Sequence, residues 1–444
     1  MPALRVLGQA TLAAFLLGLL LWAQGCSTEP ELPKGNSRTF VVGAVLPLSG
    51  PNAVQGRSMQ RGLQLGVADV NAAGGINGHP VVLGIVDTQG DLTNGAVALE
   101  KWRDLDVPVI LIGDTDLVTY RAENVADYPQ LIGFLSDYVA AVSLAPKNSF
   151  RVYLNGDQEG RLIEGYLAAA GVNKTAILYA SGLIGQSNAK YMEFLIHGDY
   201  ITTYKDAYTP TEVDYTMLAT AMGRLDADSM VLVGYGPEYA NILTAFSLTK
   251  WTGLVLGYLG QGSLEGLGNQ TGLAANLLYP VPAYVVNPLS NSVQQTFAQK
   301  FRAAYGKDPD LFAAYAYDNI RVIAASAARS ASLQPDKIRE GFLALKSYPG
   351  IAGTYTIMPD GDTEMPLQLV NGNGQTAPPP PKLPPPSTTL THITAPANGL
   401  GPSLTEIYFK SLPAPAPANT TTSGNTTTAP AGNTTAPASP TTSP

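Results

Sequence analysis

Residues 41–91 read VVGAVLPLSGPNAVQGRSMQRGLQLGVADVNAAGGINGHPVVLGIVDTQGD, and the fold is decided in this stretch. Two near-continuous apolar runs, Phe40–Leu46 and Val81–Asp87, suit strands buried on both faces of a parallel sheet. Between them, Ser58 to Ala72 puts Leu63, Val67 and Val70 on one face of a helix. Gly74-Gly75 and Asn77-Gly78 end that helix and turn the chain into the second strand, because Gly and Asn accept positive φ. The stretch is a strand–helix–strand unit.

Moving outward, the same alternation recurs. Apolar runs fall at Val109–Ile112, Gln130–Phe134, Thr175–Ala180, Ser229–Val233 and Leu254–Leu259. Helical stretches run from Asp157, an expected N-cap, to Ala170, and from Pro237, in a first turn, to Lys250. The fold class expected is α/β with doubly wound sheets, whose ligands sit in the crevice beyond the strands' carboxyl ends. The patterned region is long enough for two lobes, since single cores stop growing near ~250–300 residues.

The two ends differ from this middle. One positive charge, Arg5, precedes a short apolar run from Leu12 to Trp22, the order of a secretory signal over residues 1–25. The run is shorter than the ~20 residues that span a bilayer. It leads into Ala23-Gln24-Gly25-Cys26, and Cys26 is the single cysteine of the chain. A small residue before a lone cysteine at the cleavage point resembles a bacterial lipobox, although Ala23 stands where Leu is usual. The expectation is lipid on Cys26, a polar tether over residues 26–38, and an extracytoplasmic, membrane-anchored protein. At the other end, residues 377–444 are dominated by Pro, Thr, Asn and Ala, too poor in apolar residues to fold. The island Leu404–Leu412, with Ile407, Tyr408 and Phe409, is the exception.

The charge excludes some functions. A formal net charge of −8, with scattered basic residues, gives no nucleic-acid footprint. Of the histidines, His79 sits in a turn, His197 at a helix end and His392 in the tail, where solvated caps are the ordinary reading. There is no nucleophile-elbow pentapeptide, and a zinc site would lack cysteine ligands. Gly257–Gly268, with Gly260-Gln261-Gly262, follows a strand without the Lys or clear helix start that a phosphate-binding loop wants. No enzyme activity, cofactor or metal is expected.

Several motifs together resemble the branched-chain amino-acid-binding family of ABC-importer receptors, the type I periplasmic-binding-protein fold. They are Pro47-Leu48-Ser49-Gly50-Pro51, Gly56 and Gly62, and Asp69 through Gly78. Further along come Phe150-Arg151 with Asp157 through Arg161, Gly234 through Glu238, Tyr315 through Asp318, and Gly353-Thr354-Tyr355 with Asp360-Gly361-Asp362. The resemblance implies lobe 1 over about 39–151 and 262–350 and lobe 2 over about 152–261 and 351–376. It places the chain crossings near Arg151–Val152, Gly257–Gly262 and Gly350–Gly353.

The resemblance also implies a ligand site. Carboxylate contacts come from the loop Gly113 through Leu117, including Thr115 and Asp116, and from Leu135 through Ala140, including Asp137 and Tyr138. Glu238 matches the family's ammonium-binding acid, beside Tyr235, while Gln55 and Ile184 line the side-chain pocket. Ala140 replaces a hydroxyl residue, and Asp114, Asp116 and Asp137 would repel a carboxylate. Each Asp also has an ordinary reading as a helix cap or turn residue, and Tyr138, Tyr235 and Tyr315 as wall packing. An amide or amine solute therefore fits as well as a branched-chain amino acid. The expected partners are a small-molecule solute, an ABC permease and the membrane through the anchor, with the protein a monomer. A ligand sensor on the same fold, or a surface-display protein with a degenerate site, are the competing readings.

Overall fold

The structure is a computed structural model. It describes residues 32–34, 38–50, 52–114, 117, 128–136, 148–154, 156–181, 183–196, 201–209, 214–222, 227–234, 238–249, 251–258, 277–287, 289–372 and 376–379. Cys26, the tether up to residue 31 and the tail from residue 380 lie outside them.

The first sheet is five-stranded and wholly parallel. Its strands are β1 (Phe40–Leu46), β2 (Val81–Asp87), β3 (Val109–Ile112), β4 (Leu131–Phe134) and β5 (Ser149–Arg151), in the order β2-β1-β3-β4-β5. Alternate residues of β1 face opposite ways. Val42, Ala44 and Leu46 share a core with Met59 and Leu63 of helix α1 (Ala53–Ala72). Gly43, pointing the other way, faces the fully buried Trp102 of α2 (Leu92–Asp104), which also covers Gly84 of β2. A side chain at either glycine would strike the indole. Helices thus cover both faces, as the alternating pattern requires. The expected helix start at Ser58 falls five residues late, because Ala53 to Arg57 already belong to α1.

The second sheet is six-stranded. It contains β6 (Lys174–Ala180), β7 (Ile201–Tyr208), β8 (Ser229–Val233), β9 (Leu254–Tyr258), β10 (Leu277–Pro282) and β14 (Leu367–Asn371), in the order β14-β10-β9-β8-β6-β7. All pairings are parallel except β10 with β14. Helix α3 (Gly156–Ala170) and α4 (Leu183–Ile196) pack on each other and on this sheet, and α5 (Thr216–Met222) packs on α6 (Tyr239–Ser247). Asp157 is a first-turn residue of α3 rather than its cap, and it pairs with Arg161 one turn on, at 2.8 Å.

After the short helix α7 (Ala283–Val286), the chain forms α8 (Ser292–Tyr305), α9 (Leu311–Ser330) and α10 (Pro335–Leu345). These pack on the first sheet's helices: α9 lies against α1 and α10. Gly62 and Gly66, one turn apart on α1, admit the backbone of α9 at Ala313 and Tyr317. The strands β11 (Ser347–Pro349), β12 (Thr354–Ile357) and β13 (Thr363–Glu364) form a small antiparallel sheet, the hairpin expected around Gly353–Asp362.

The described chain therefore passes between the two sheets at three places. The first follows Arg151. The other two correct the sequence reading. The chain, expected to return near Gly257–Gly262, still adds β10 to the second sheet, where Leu277 and Leu278 pair with Val255 and Leu256, so the return follows Pro282. The third crossing follows β13 rather than Gly350–Gly353, because the buried carboxylate of Asp318 on α9 holds that turn on the first lobe. It accepts from Ile351 N at 2.7 and 2.8 Å, Ala352 N at 3.1 Å and the Tyr355 hydroxyl at 3.0 Å.

The first and third crossings are stitched together. Arg151 is fully buried, and its guanidinium pairs with Asp362, with Nε to Oδ1 at 2.8 Å. Arg151 N donates to Gly361 O at 2.9 Å, and the Thr363 hydroxyl to Tyr153 O at 3.3 Å. From α3, Gln158 uses both ends of its amide on the Met365 backbone. Past β14, Thr376 bridges to Val370, Ala377 N donates to Leu369 O at 2.9 Å, and Pro378 O accepts from the Tyr166 hydroxyl. The folded part thus runs a few residues into the stretch read as tail.

Candidate functional site

In the first sheet, the chain leaves β1 towards β2 on one side and β3 on the other, so the carboxyl ends of β1 and β3 flank a topological switch point. The loop after β1 is built by Asp87 at the end of β2. Its carboxylate accepts from Leu48 N at 2.7 Å, Ser49 N at 3.1 Å, the Ser49 hydroxyl at 2.7 Å and Gln89 N at 2.8 Å. Burial opposes the Asp87 charge, but these hydrogen bonds outweigh it and hold the carboxyl below the usual carboxylate range. Gly56 of α1 is required here, since a β-carbon would overlap the Pro47 carbonyl. Gln55 beside it is half-buried at the start of α1.

After β3, Asp114 is buried and accepts from the Thr88 hydroxyl at 2.7 Å. After β4, the Ser136 hydroxyl is spent on Gly113 O at 2.9 Å. Thr115, Asp116, Asp137, Tyr138 and Ala140 lie outside the described residues. Thr88 was not legible as a partner of Asp114. It stands 26 positions away, and only the sheet order brings the two loops together.

In the second sheet the switch point lies at β6, which leads to β7 on one side and has β8 on the other. After β8 come Gly234 and, at the N-cap of α6, Glu238, only 3% exposed. A carboxylate at a helix start is favoured by the helix dipole. Its Oε1 accepts from the hydroxyl of Tyr208 at 2.8 Å. Tyr208 ends β7, paired in register with Ala180 of β6, and its hydroxyl also lies 3.4 Å from Val233 O. Burial first, then the neighbouring Tyr239 and Glu238, push the Tyr208 phenol well above its ordinary value, so it remains a donor at physiological pH. A β-carbon at Gly234 would overlap both the Tyr208 hydroxyl and Glu238 Oε1. Tyr239 is tied down by hydrogen bonds to Leu232 O at 2.8 Å and Tyr258 O at 3.0 Å. Tyr235 and the side chain of Ile184 lie outside the described residues. The arrangement places a hydrogen-bonded acid at the carboxyl end of each sheet.

The family model for periplasmic binding proteins matches residues 39–377. The chain belongs to the periplasmic binding protein family. This is a family of solute-binding proteins that work with ABC-transporter permeases outside the cytoplasm, and the chain has its type I fold. Among curated relatives, a Leu/Ile/Val-binding protein homolog of Brucella suis is 23% identical over 346 residues, covering 73% of this chain and 88% of the relative. Among solved structures, LivJ of Streptococcus pneumoniae, a branched-chain amino acid transporter substrate binding protein in complex with isoleucine, has a TM-score of 0.62 at 21% identity. It covers 76% of this chain and 97% of LivJ. A solute binding protein from R. palustris in complex with benzoate has a TM-score of 0.62 at 18% identity, covering 76% and 95%.

In this periplasmic binding protein, two other residues weighed in the sequence, Tyr315 and His79, have partners within the fold. Tyr315 is fully buried on α9, its ring 4.5 Å from that of Tyr153 and its hydroxyl 3.7 Å from Met365 Sδ, so it packs the crossings. His79 holds its turn through Asn77 O at 3.1 Å. Among the described residues, no helix is long and apolar enough to cross a membrane.

Proposed function

We propose that this protein is the substrate-binding lipoprotein of an ABC importer and that its solute presents an amine to Glu238. The observation that carries the reading is the Glu238 carboxylate, held at the start of α6 by a neutral donor, Tyr208. The phenol orients the carboxylate at the position where the family resemblance puts the ammonium-binding acid. Asp114, bonded to Thr88 at the carboxyl end of the other sheet, adds negative charge on the first lobe. Isoleucine, the ligand named with LivJ, carries an ammonium; benzoate, named with the R. palustris protein, carries only a carboxylate. The acids favour the first kind of ligand. Gln55, Thr115, Asp116, Asp137, Tyr138, Ile184 and Tyr235 remain the proposed lining.

The test is a thermal-shift screen of amino acids, amides, diamines and aromatic carboxylates, followed by calorimetry on Glu238→Gln. Binding of an amine should weaken by about 1.5–3 kcal/mol, one to two decades in affinity. Tight benzoate binding, or amine binding undisturbed by Glu238→Gln, would overturn the reading. The anchor is tested separately. Cys26→Ala should release soluble protein, and a native N-terminus found unmodified downstream of Cys26 would refute lipidation.

A further inference from the structure

We infer that the first lobe carries a second binding pocket, between α1, α8 and α9, for a small molecule that joins a carboxylate to an apolar body, with Arg321 receiving the carboxylate. The inference is independent of the reading of Glu238, since none of its residues belongs to either strand-end site.

The pocket encloses about 600 Å³, a size that suits a small ligand. Its apolar side is Val70 of α1 with Val293 and Phe297 of α8, and its charged lining is Asp69, Lys300 and Arg321. It lies far from the crevice. Helix α1 carries Gln55 at its start, beside the loop after β1, and Asp69 near its other end. The two are separated by about four turns and 20 Å of helix axis.

The charged groups are not equivalent. Lys300 Nζ lies 2.7 and 2.9 Å from the two oxygens of Asp69, and the Tyr317 hydroxyl donates to Asp69 Oδ2 at 2.6 Å. Asp69 and Lys300 thus answer each other. Arg321 is the remainder. Its guanidinium lies over the Tyr317 ring, 5.5 Å from the centroid, and that ring packs in turn against Phe297 at 4.7 Å. Among the described residues, no carboxylate lies within ion-pair distance of Arg321. The neighbouring acid, Asp318, spends its oxygens on Ile351 N, Ala352 N and the Tyr355 hydroxyl. The lining therefore keeps one positive charge, in a chain whose formal net charge is −8.

The chemistry follows. The Tyr317 ring covers a face of the guanidinium and leaves its edge, where the N–H fork matches a carboxylate. One positive charge suits a monoanion; a dianion would also meet the negative Asp69. Beside the fork, Val293 keeps 51% of its surface exposed, so an apolar body laid on it removes apolar area from water. An inorganic anion could use only the fork, and a neutral apolar amide only the wall. A carboxylate on an apolar body uses both.

The experiment is methyl NMR and calorimetry on the full chain, with hexanoate and cyclohexanecarboxylate as probes and hexanamide and inorganic phosphate as controls. Both carboxylates should shift the Val70 and Val293 methyl resonances saturably, and both controls should bind about tenfold more weakly or less. Arg321→Gln should weaken the carboxylates by about tenfold or more, as loss of a hydrogen bond to a charged group requires. Val293→Glu, at an exposed position, should do the same by repulsion and carries the test if Arg321→Gln does not fold. Neither substitution should change the affinity of a solute that binds in the crevice. Methyl resonances unmoved by the carboxylates, or affinities within twofold of wild type in both variants, would overturn the inference. Hexanamide or phosphate binding as tightly as hexanoate would overturn the stated ligand class. Failure of the amine reading at Glu238 would show in the crevice solutes and leave these outcomes unmoved.

Discussion

At the crossings, Asp362 is buried against the guanidinium of Arg151; at the end of the second sheet, Glu238 is buried against the phenol of Tyr208. Both carboxylates are taken out of water, and both accept hydrogen bonds from a residue distant in the sequence. The partners differ in charge. A guanidinium cancels the acid and turns it into a fastener, with geometric specificity from its fork of donors. A phenol orients the acid through a single donated hydrogen bond. The first arrangement joins two segments of backbone; the second fixes one carboxylate at a helix start. The contrast separates an acid that fastens the fold from one proposed to meet a ligand.

The largest effect should come from breaking the fastener. Arg151→Met leaves Asp362 buried without its cation and should cost about 3–5 kcal/mol of stability by urea denaturation. Adding Asp362→Leu should recover much of that, since a well-packed apolar pair often replaces a buried ion pair without loss. If Arg151→Met proved neutral while Glu238→Gln lowered the melting temperature, the assignment of roles would be reversed.

Asp318 sharpens the comparison, because its partners are backbone N–H groups and a tyrosine hydroxyl. Burial pushes its carboxyl up from 3.8 to about 6 despite those hydrogen bonds. A carboxyl raised in the folded state is charged more easily in the unfolded chain. Its penalty is absent below about pH 4, grows as pH rises through the interval to about 6, and is full above it. Relative to Asp318→Asn, which cannot ionise, the wild type should therefore gain stability as pH falls from 7 to 4, by up to about 3 kcal/mol. A difference independent of pH would show that the charge is better compensated than its contacts suggest.

The smallest effect concerns where the fold ends. Deleting residues 380–444 should leave the melting temperature unchanged, because that composition cannot build a core. Deleting from Ala377 also removes its hydrogen bond to Leu369 and the Pro378 contact with Tyr166, and should cost about 0.5–1.5 kcal/mol. A large loss on the shorter deletion would mean that the Leu404–Leu412 island packs on the folded part.

The strands legible in the sequence carry apolar runs, such as Phe40–Leu46 and Ser229–Val233, and Val81–Asp87 was legible too although it lies at a sheet edge and is largely half-buried. The strand Ile201–Tyr208 escaped notice because its ITTYKDAY sequence has no continuous apolar run. Leu277–Pro282 was missed for a different reason. Pro280 and Pro282 argue against a central strand, yet the strand pairs with β9 only through Leu277 and Leu278, so both prolines lie where that ladder has ended. Missing this strand is what put the second crossing too early. In the candidate site, Glu238 was found through the Gly234–Glu238 motif and Asp114 through the loop after β3. Their partners Tyr208 and Thr88 carry no local signal.

What the sequence by itself determined is whatever has a period or a neighbour: buried parallel strands, helix ends at Gly74-Gly75, the glycines on α1, and the acids at strand ends. Apolar runs, turn residues and short motifs are written within a few positions of where they act. What only the tertiary structure decided is which hydrogen-bond partner each acid meets. Asp362 reaches Arg151 across 211 positions, and Glu238 reaches Tyr208 across 30. Such pairings follow from strand order and from the hairpin's seat on the first lobe, and electrostatic partnership depends on distance in space rather than along the chain.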